Sequence, residues 1–329
     1  MTRVGVAGLG HWGPNLARNF HALGALAAVC DARKEARQTV TARLSGVSPF
    51  ADFDALLSAG IDAVVIATPA ATHGALVARA LAAGKHVFVE KPLCLDLAEA
   101  RALGADAARR NLTLMVGHLL LYHPAFNALE ALVAGGRLGR LRYIYSNRLS
   151  LGKIRREENA LWSFAPHDVS MILALAGLAP VRAMTSGGSY LQPTVADTTL
   201  SHLDFDDGMR AHVFVSWLHP YKDHRLVVVG SEGMASFHDS AQDRDKLLFY
   251  PHAVGWKDEL PTVERAAAEP IAFDGEEPLA RECRHFLDCV ARRARPRSDA
   301  AESLRVLATL DACQRSLVQG HPVAVEAAP

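Results

Sequence analysis

The stretch Arg3–Gly13, RVGVAGLGHWG, decides the fold of the first half of the chain. Its first seven residues have the apolar pattern of a buried strand, and Gly8, Gly10 and Gly13 give the spacing G-x-G-x-x-G around the end of that strand. A helix should begin at about Pro14, because proline suits the first turn of a helix. A strand, a glycine-rich turn and a helix in this order predict a dinucleotide-binding unit, with the pyrophosphate held at the helix N-terminus.

The next expected strand, Ala25–Cys30, ends at Asp31, eighteen residues after Gly13. A carboxylate at this place bonds the ribose hydroxyls of NAD and repels the extra phosphate of NADP. Two other roles are open: Arg33 could receive that phosphate, and Asp31 could be the N-cap of a helix that starts near Arg33. The upstream glycines favour the cofactor role, so the sequence favours NAD over NADP.

Strands and helices continue to alternate as far as about residue 117. The expected strands are Asp62–Thr68, a strand ending at Glu90, and Leu112–Gly117, and the helices between them are Thr72–Ala83 and Asp96–Arg110. This spacing is typical of an α/β fold with a doubly wound parallel sheet. Residues 1–118 are therefore expected to form a Rossmann domain that binds NAD. Residues 119–329 should form an α+β domain for substrate binding and oligomerisation, whose C-terminal helices could pack back on the first domain.

Within this alternation, the stretch Gly84–Pro92 reads GKHVFVEKP. Lys91 directly follows a buried strand, and ligands of doubly wound sheets bind outside the carboxyl ends of the parallel strands. The peptide bond before Pro92 can be cis at modest cost, which would hold the lysine in one orientation. Taken alone, the tripeptide Glu-Lys-Pro is better explained as a solvent-exposed strand end, and the neighbouring motifs are what favour a chemical role.

Bulk properties favour a globular, cytoplasmic protein of about two domains. Of the 329 residues, 50% are hydrophobic and 21% are charged, and 35 Lys and Arg residues balance 35 Asp and Glu residues. A neutral chain has no global field to attract nucleic acid or an anionic membrane. The five cysteines form no C-x-x-C pair, so neither a metal site nor a disulfide framework is expected. Neither a membrane helix nor a signal peptide is expected from the apolar runs.

The second half combines helices with a run of strands. The expected elements are a helix Pro124–Ala134, a strand Arg142–Ser150, an apolar helix Met171–Ala176, strands between Val181 and Tyr250, and helices Ala280–Ala294 and Ser298–Gln319. Strands without intervening helices predict an open, mainly antiparallel sheet. Trp217 lies among these strands, and a place at a subunit interface is favoured for it over the edge of a substrate site. Packing alone explains Cys283, Cys289 and Cys313.

Four motifs, in this order and spacing, resemble the glucose–fructose oxidoreductase/inositol dehydrogenase (Gfo/Idh/MocA) family. They are GLGHWG at 8–13, ATPAATH at 67–73, AAGKHVFVEKPL at 82–93 and MVGHLLLYHPAF at 115–126. The resemblance covers the first domain and much of the remainder. It implies an NAD(P)-dependent sugar oxidoreductase acting on CH–OH, with Lys91 as the active-site lysine and Lys91–Pro92 as a cis peptide. It also implies that His167 is the histidine placed over the nicotinamide, although a histidine satisfied at a helix start is the commoner case.

The resemblance extends these expectations to further residues. The expected cofactor contacts are Gly8, Gly10, His11, Trp12, Gly13, Asp31, Arg33, Thr68, Pro69, His73, Glu90, Lys91 and Pro92. The expected substrate contacts are His118, Tyr122, Lys153, Arg155, Arg156, Trp162 and Asp168, and no metal is expected. Family members commonly use the second-domain sheet as their subunit interface, so a homo-oligomer, a dimer or a tetramer, is expected.

The chain departs from the family at one position near the histidine. Relatives often carry an aspartate four residues before it, where this chain has Ser163. The usual pairing of aspartate with histidine is thus in doubt, and Asp168 is no obvious substitute, because adjacent helix residues do not face each other. Ser163 could instead be a helix N-cap.

Three longer stretches resemble nucleotide-sugar 3-dehydrogenases within the family. They are GHWGPNLARNF at 10–20, RLSLGKIRREENALWSFAPHD at 148–168 and VSWLHPYKDHRLVVVGSEG at 215–233. This implies oxidation of the C3 hydroxyl of a nucleotide-activated amino sugar, with UDP-N-acetylglucosamine favoured, to a 3-keto sugar that is later aminated on the way to an acylated diaminosugar. The alternatives are a dehydrogenase or reductase of another sugar or UDP-sugar uronate, a glycosidase with an internal NAD redox cycle, and a non-catalytic NAD sensor.

A local cluster of cations supports the nucleotide-sugar interpretation. Arg148, Lys153, Arg155 and Arg156 fall within nine residues, directly before the segment with His167. Most charge runs are solvated surface. In a neutral protein, however, a basic cluster beside an expected sugar site suggests recognition of phosphate groups.

Overall fold

The computed structural model describes residues 2–156 and 158–327. The chain forms two compact units. The first contains the residues up to Tyr122 together with Glu276–Leu304, and the second contains His123–Gly275 together with the residues from Arg305 onwards. The chain therefore leaves the first unit after Tyr122 and returns to it for one stretch near its end.

Strands and helices alternate in the first unit. They are β1 (Val4–Ala7), α1 (Gly13–Ala22), β2 (Leu26–Cys30), α2 (Lys34–Thr41), β3 (Ser48–Phe50), α3 (Phe53–Leu57), β4 (Ala63–Ile66), α4 (His73–Ala82), β5 (His86–Glu90), α5 (Leu97–Arg109) and β6 (Leu114–Gly117), with short 3₁₀ helices at Ala70–Thr72 and Leu119–Tyr122. The predicted elements are present, with ends that differ by one or two residues. Strand β3 and helix α3 were not predicted, because the three residues of β3 are largely exposed and show no apolar strand pattern.

The six strands form one parallel sheet in the order β3-β2-β1-β4-β5-β6. All residues of β1 and β4 are buried, as expected for central strands of a parallel sheet with helices on both faces. Ala7 lies in register with Cys30 of β2 and with Ile66 of β4, so the loops after these strands leave the sheet at one edge. The strand order reverses between β1 and β4, which is where doubly wound sheets bind ligands. The predicted Rossmann-type α/β fold is confirmed.

The remaining elements follow in chain order. They are α6 (Pro124–Ala134), β7 (Leu141–Leu149), α7 (Ala160–Ala176), β8 (Arg182–Gly188), β9 (Thr198–Asp204), β10 (Arg210–Ser216), β11 (Asp223–Gly230), β12 (Met234–His238), α8 (Asp243–Lys246), β13 (Leu247–Tyr250), β14 (Ala253–Lys257), β15 (Leu260–Glu264), β16 (Glu269–Pro270), α9 (Pro278–Arg292), α10 (Ala300–Gln319) and β17 (Val323–Ala324). Of these, α9 belongs to the first unit, while α6, α7 and the strands belong to the second.

A nine-stranded sheet is the centre of the second unit. Its order is β16-β13-β12-β11-β7-β10-β9-β8-β17, and all neighbours run antiparallel except β7 and β10, which run parallel. Alternate residues face a buried side on which α7 packs: in β10, Ala211, Val213 and Val215 are buried, while His212 and Phe214 are partly exposed. The prediction of an open, mainly antiparallel sheet is confirmed.

Helix α7 begins eleven residues earlier than the helix that the sequence predicts. Asn159 is its N-cap, and the Asn159 side chain accepts a hydrogen bond from the Trp162 N–H. Pro166 lies inside the helix and removes one backbone N–H, and a proline normally signals a helix start or break. Ser163 therefore lies within the helix, and its expected role as N-cap is wrong.

Two findings in the second unit differ from the sequence analysis. Trp217 is fully buried and its indole N–H donates to Asp197 at 2.6 Å, so its preferred place at a subunit interface is wrong. The hairpin of β14 and β15 was not predicted, although Asp258 and Glu259 at its turn both have positive φ. Every residue of these two strands is exposed.

The returning helix α9 completes the core of the first unit. The ring of Phe286 lies edge-to-face against Phe20 and Phe88, with centroids 6.2 and 5.7 Å apart, and all three rings are buried. The buried residues of α9 are Leu279, Glu282, Cys283, Phe286 and Cys289, at the three- and four-residue spacing of one helix face. The Rossmann core therefore depends on a helix far along the chain.

Three general properties follow from the described ranges. All five cysteines are free and buried, which confirms that Cys283, Cys289 and Cys313 are packing residues. Within residues 2–156 and 158–327, no three His, Cys, Asp or Glu side chains are grouped as a metal site. No helix in the same ranges has the length and apolar character needed to span a membrane.

Candidate active site

The three glycines of the G-x-G-x-x-G motif shape a loop that is tight inside and open outside. Gly8 has a φ of +90°, and a Cβ there would lie 2.6 Å from the Ala67 carbonyl oxygen. A Cβ at Gly13 would lie 1.8 Å from the carbonyl oxygen of Gly8, so α1 starts in direct contact with the turn. Around Gly10 the space for a Cβ is open. The residues therefore fit a dinucleotide, whose pyrophosphate needs close approach to the backbone and to the N-terminus of α1.

Asp31 follows β2 and turns its carboxylate toward this loop. It accepts a hydrogen bond from the Leu9 N–H at 2.8 Å, and Arg33 donates to it from both its backbone and its guanidinium. Burial raises the pKa of Asp31, but the hydrogen bonds from Arg33 and Leu9 outweigh burial and leave the pKa lowered. The alternative role as helix N-cap is wrong, because Arg33 occupies that position. A ribose hydroxyl could replace the guanidinium on Asp31, since the Arg33 side chain is 61% exposed and able to move.

Lys91 follows β5, and its peptide bond to Pro92 is cis, as the resemblance implied. The preceding residue, Glu90, is largely buried, and burial raises its pKa to about 7 against the opposing effects of the Lys91 charge and a hydrogen bond from the Trp12 side chain. Its carboxyl group lies over Gly117, where a Cβ would come within 3.1 Å of it. Glu90 thus links the glycine-rich loop, through Trp12, to Lys91.

His73 joins the loops that follow β4 and β5. It is 1% exposed, and its ring nitrogens lie 2.7 Å from the Pro92 carbonyl oxygen and 2.9 Å from the Thr68 carbonyl oxygen. The Thr68 hydroxyl forms a hydrogen bond with the Thr72 hydroxyl, and Pro69 in the same loop is exposed. Both ring nitrogens of His73 are occupied by backbone, so the expected contact with the cofactor is wrong. The histidine instead fixes the loop on which Lys91 lies.

The structure also corrects two expected substrate contacts. His118 is 1% exposed, and its Nδ1 lies 2.7 Å from the carboxylate of Glu302. Tyr122 is 5% exposed, its hydroxyl hydrogen-bonds Ser298 at 3.1 Å, and its ring packs on His285. Neither side chain has surface left for a sugar, so both expectations are wrong. They anchor the returning stretch Glu276–Leu304 in the first unit.

In the second unit, a buried ion pair fixes the helix that carries His167. Asp168 is fully buried, and its carboxylate accepts from Arg148 at 2.7 and 3.2 Å and from Ser146 at 2.5 Å. Adjacent helix residues differ in direction by about 100°, so His167 points away from this pair and is partly exposed. Asp168 as a substrate contact is wrong, because both of its oxygens are occupied inside the unit. Arg148 is likewise buried and does not belong to the surface cations.

The start of α7 gives a mixed result for the other expected contacts. Trp162 is partly exposed, but its indole N–H donates to Gln314 at 3.1 Å, so only its ring remains for a ligand. Lys153 and Arg156 are exposed. Arg155 is half-exposed and lies 3.0 Å from Glu158, which offsets part of its charge. Lys153 and Arg156 are therefore the most exposed cations of the basic loop.

Two buried acids of the first unit were missed by sequence reasoning. Glu302 pairs with His118, and Glu282 is fully buried on α9. A signal existed for Glu282, because it shares the apolar face of α9 with Leu279 and Phe286, where a charged residue is out of place. No local pattern, however, tells that this helix packs on the first unit.

Comparison with known proteins agrees with this architecture. Residues 2–118 match the model of the GFO_IDH_MocA oxidoreductase family, NAD-binding Rossmann fold, and residues 126–236 match the GFO/IDH/MocA C-terminal domain. The chain is 32% identical over 307 residues to UDP-N-acetylglucosamine 3-dehydrogenase of Acidithiobacillus ferrooxidans, covering 93% of this chain and 94% of that protein. It is 30% identical over 248 residues to the NAD(+)-dependent scyllo-inositol 2-dehydrogenase of Bacillus subtilis, covering 70% and 72%.

The solved structures give the same result. The crystal structure of UDP-N-acetylglucosamine 3-dehydrogenase GnnA from Acidithiobacillus ferrooxidans superposes with a TM-score of 0.85 at 30% identity, covering 96% of this chain and 97% of that one. The match to this structure covers both units of the fold, and each unit also contains residues that match one of the two family models. The chain belongs to the Gfo/Idh/MocA family of oxidoreductases with an NAD-binding Rossmann domain.

Proposed function

We propose that this protein oxidises the C3 hydroxyl of a nucleotide-activated amino sugar, with UDP-N-acetylglucosamine the favoured substrate, and reduces NAD. The observation that carries the proposal is the extent of the likeness to a UDP-N-acetylglucosamine 3-dehydrogenase. It runs through 93% of the chain in sequence and 96% in structure, so it includes the second unit as well as the shared Rossmann unit. A likeness confined to the first unit would support NAD binding alone.

In the proposed mechanism, His167 and Lys91 act on the same sugar hydroxyl. NAD held by the glycine-rich loop and Asp31 would supply the acceptor for the hydride from C3. His167 takes up the hydroxyl proton, and the ammonium of Lys91 stabilises the developing alkoxide. A lysine is mostly charged at neutral pH, which favours this division of the roles over the reverse.

The surroundings of each residue support these roles. Lys91 has the Glu90 carboxylate as its neighbour and is held on a loop that His73 ties to the loop after β4. His167 lies on a helix that the Arg148–Asp168 ion pair fixes to β7. Such fixed side chains can act without reorganising during the reaction. The aspartate that relatives often have at the position of Ser163 is absent, so the charge of Lys91 carries more of the stabilisation.

Phosphate recognition is proposed for the basic loop. Lys153 and Arg156 are exposed, and the guanidinium of Arg155 between them lies 3.0 Å from the carboxylate of Glu158. Exposed cations in a chain of zero net charge are suited to a diphosphate. The exposed part of the Trp162 ring offers a flat apolar surface beside them.

One experiment tests the function. The protein is mixed with NAD and UDP-N-acetylglucosamine, and NADH fluorescence is followed, with parallel mixtures that contain the uronate analogue, the bare sugar, or NADP. We expect NADH with the nucleotide sugar and little with the bare sugar. A preference for the uronate would reassign the substrate within the family. Release of free sugar without NADH accumulation would instead show a glycosidase with an internal redox cycle.

Assembly through the outer face of the nine-stranded sheet is also proposed. On this face the rings of Tyr145 and His212 stack with centroids 5.3 Å apart, and the Tyr143 hydroxyl lies 2.5 Å from His212. A broad, partly exposed aromatic face is typical of subunit interfaces. Light scattering should give a dimer or tetramer that Tyr145→Asp dissociates. A monomeric wild-type protein at micromolar concentration would contradict the proposal.

A further inference from the structure

Glu282 is a buried acid that the proposed mechanism does not use. Its side chain is fully buried on α9 in the first unit. Neither of its carboxyl oxygens has a hydrogen-bond partner among the residues that the structure describes. Buried polar groups in proteins are almost always paired, so an unpaired carboxyl group calls for an explanation.

The position of Glu282 follows from the packing of α9 on β5. Phe286, one helical turn after Glu282, packs against Phe88 with ring centroids 5.7 Å apart. Residues four apart share a helix face, and residues two apart share a strand face. Glu282 and Glu90 therefore lie on the facing surfaces of α9 and β5, one step beyond the contact of the two rings. Burial, and then the charge of Glu90, raise the pKa of Glu282 well above its usual range.

Other titratable groups face this pair from each neighbouring element. Lys91 and His118 act on Glu90, and the pKa of Tyr122 is raised by burial and by Glu282. These groups are Lys91 after β5, His118 with its partner Glu302, Tyr122 in the 3₁₀ helix, and Cys283 beside Glu282 on α9. The indole of Trp12, which does not titrate, is hydrogen-bonded to Glu90. The cations in this set act on Glu90, and the effect of Glu90 on Glu282 is repulsive.

We propose that Glu282 is a positioning residue for Lys91: it remains a neutral carboxylic acid, so that of the two acids only Glu90 ionises beside the lysine near neutral pH. This inference rests on the proposed role of Lys91. An ionised carboxylate without a donor is strongly disfavoured away from water, whereas the acid form is tolerated. A second negative charge next to Glu90 would attract the Lys91 ammonium more strongly and draw it away from the substrate oxygen. As a neutral acid, Glu282 instead gives Glu90 a polar neighbour whose charge does not change near neutral pH.

The test compares Glu282→Gln, which keeps a neutral polar group, with Glu282→Met, which keeps the length of the side chain but no polar group. At pH 8 the infrared spectrum of the wild-type protein should contain the carbonyl band of a protonated carboxylic acid, and both variants should lack it. Absence of the band from the wild type, or its survival in Glu282→Gln, overturns the proposal.

The fluorescence of Trp12 reports the ionisation of Glu90, because the two side chains are hydrogen-bonded. Its pH titration should have a midpoint near 7 in the wild type, within about 0.3 of a unit of that in Glu282→Gln, and about one unit higher in Glu282→Met, where the polar neighbour is lost. A lower midpoint in Glu282→Gln would show that Glu282 is ionised. An unchanged midpoint in Glu282→Met would show that Glu282 only fills space. Either result overturns the proposal. Two control variants assign the signal: Trp12→Phe should remove the fluorescence change, and Glu90→Gln should remove its pH dependence.

Turnover supplies the readout for positioning. In Glu282→Met we expect kcat to fall about tenfold or more with the KM for NAD unchanged, and in Glu282→Gln we expect recovery to within about threefold of wild type. Equal kcat values in the two variants overturn the proposal. Cys289→Ala, two turns along the same buried face, is the matched control for packing and should lower the melting temperature without moving the Trp12 midpoint.

The infrared and fluorescence measurements require no substrate. If the wild-type protein oxidises no sugar, the proposed function fails, while these two measurements still decide the state of Glu282. If turnover is present and they fail, the inference alone is overturned.

Discussion

The side chain of Lys91 works beside a carboxylate that titrates in the neutral range. Glu90 has its pKa raised to about 7 by burial, against the opposing effect of the Lys91 charge. The lysine therefore has about half of its counter-charge at pH 7 and gains the full charge only about one pH unit higher.

Replacing either Lys91 or His167 by alanine should nearly abolish turnover. We expect kcat to fall about a thousandfold or more in each case, because an alkoxide stabiliser or a general base is lost. The Kd for NAD, measured by calorimetry, should stay within about threefold, since the glycine-rich loop is untouched. Lys257→Ala, in the exposed hairpin, is the control lysine. Activity retained in either active-site variant would contradict the assignment.

Glu90 should also make the stability of the protein depend on pH. Its pKa is about 7 in the folded state and 4.5 in the unfolded chain. Between these values the folded protein binds more protons, so the free energy of unfolding falls as the pH rises, by on the order of 3 kcal/mol in all. This penalty is absent below pH 4.5 and complete above pH 7. Urea unfolding at pH 5 and pH 8 should show a smaller difference for Glu90→Gln than for wild type; an equal difference would contradict the cause.

At the scale of elements, α7 depends on one buried ion pair. Removing a single partner, as in Arg148→Met or Asp168→Leu, leaves an uncompensated buried charge and should cost about 3–5 kcal/mol in urea unfolding. The double variant should be less destabilised than either single variant, because both charges leave together. Turnover should fall in the single variants, since His167 adjoins Asp168. If the double variant were destabilised by the sum of the single effects, the pair would not be coupled.

The elements differ in how far the sequence could predict them. The glycine-rich loop, Asp31 and Lys91 are recognisable because each lies next to a strand whose apolar pattern is local. The first part of α7 was missed because Pro166 interrupts the helical pattern. Asp168 and His118 were assigned to substrate since a polar residue near a motif looks exposed in sequence, whereas burial is decided by packing. The return of α9 to the first unit has no local signal, so Glu282 and Glu302 could not be placed.

At the scale of the whole molecule, the first unit is discontinuous in sequence. A fragment that ends at Tyr122 lacks α9, so Phe20 and Phe88 lose the ring of Phe286. We expect this fragment to aggregate or to lack cooperative unfolding by circular dichroism. Joining Glu276–Leu304 to it through a flexible linker should restore cooperative unfolding and NAD binding. Cooperative unfolding of the fragment alone would show that the returning stretch is dispensable.

The same discontinuity has a consequence in time. The 182 residues from His123 to Leu304 must be synthesised before the first unit can be completed. At ordinary rates of protein synthesis this takes about 10 to 40 seconds, during which Phe20 and Phe88 cannot be covered by α9. The N-terminal half of the nascent chain thus emerges long before it can reach its final fold. We therefore expect newly made chains to depend on chaperones that shield apolar surface on the ribosome, and the cofactor to be bound only after release.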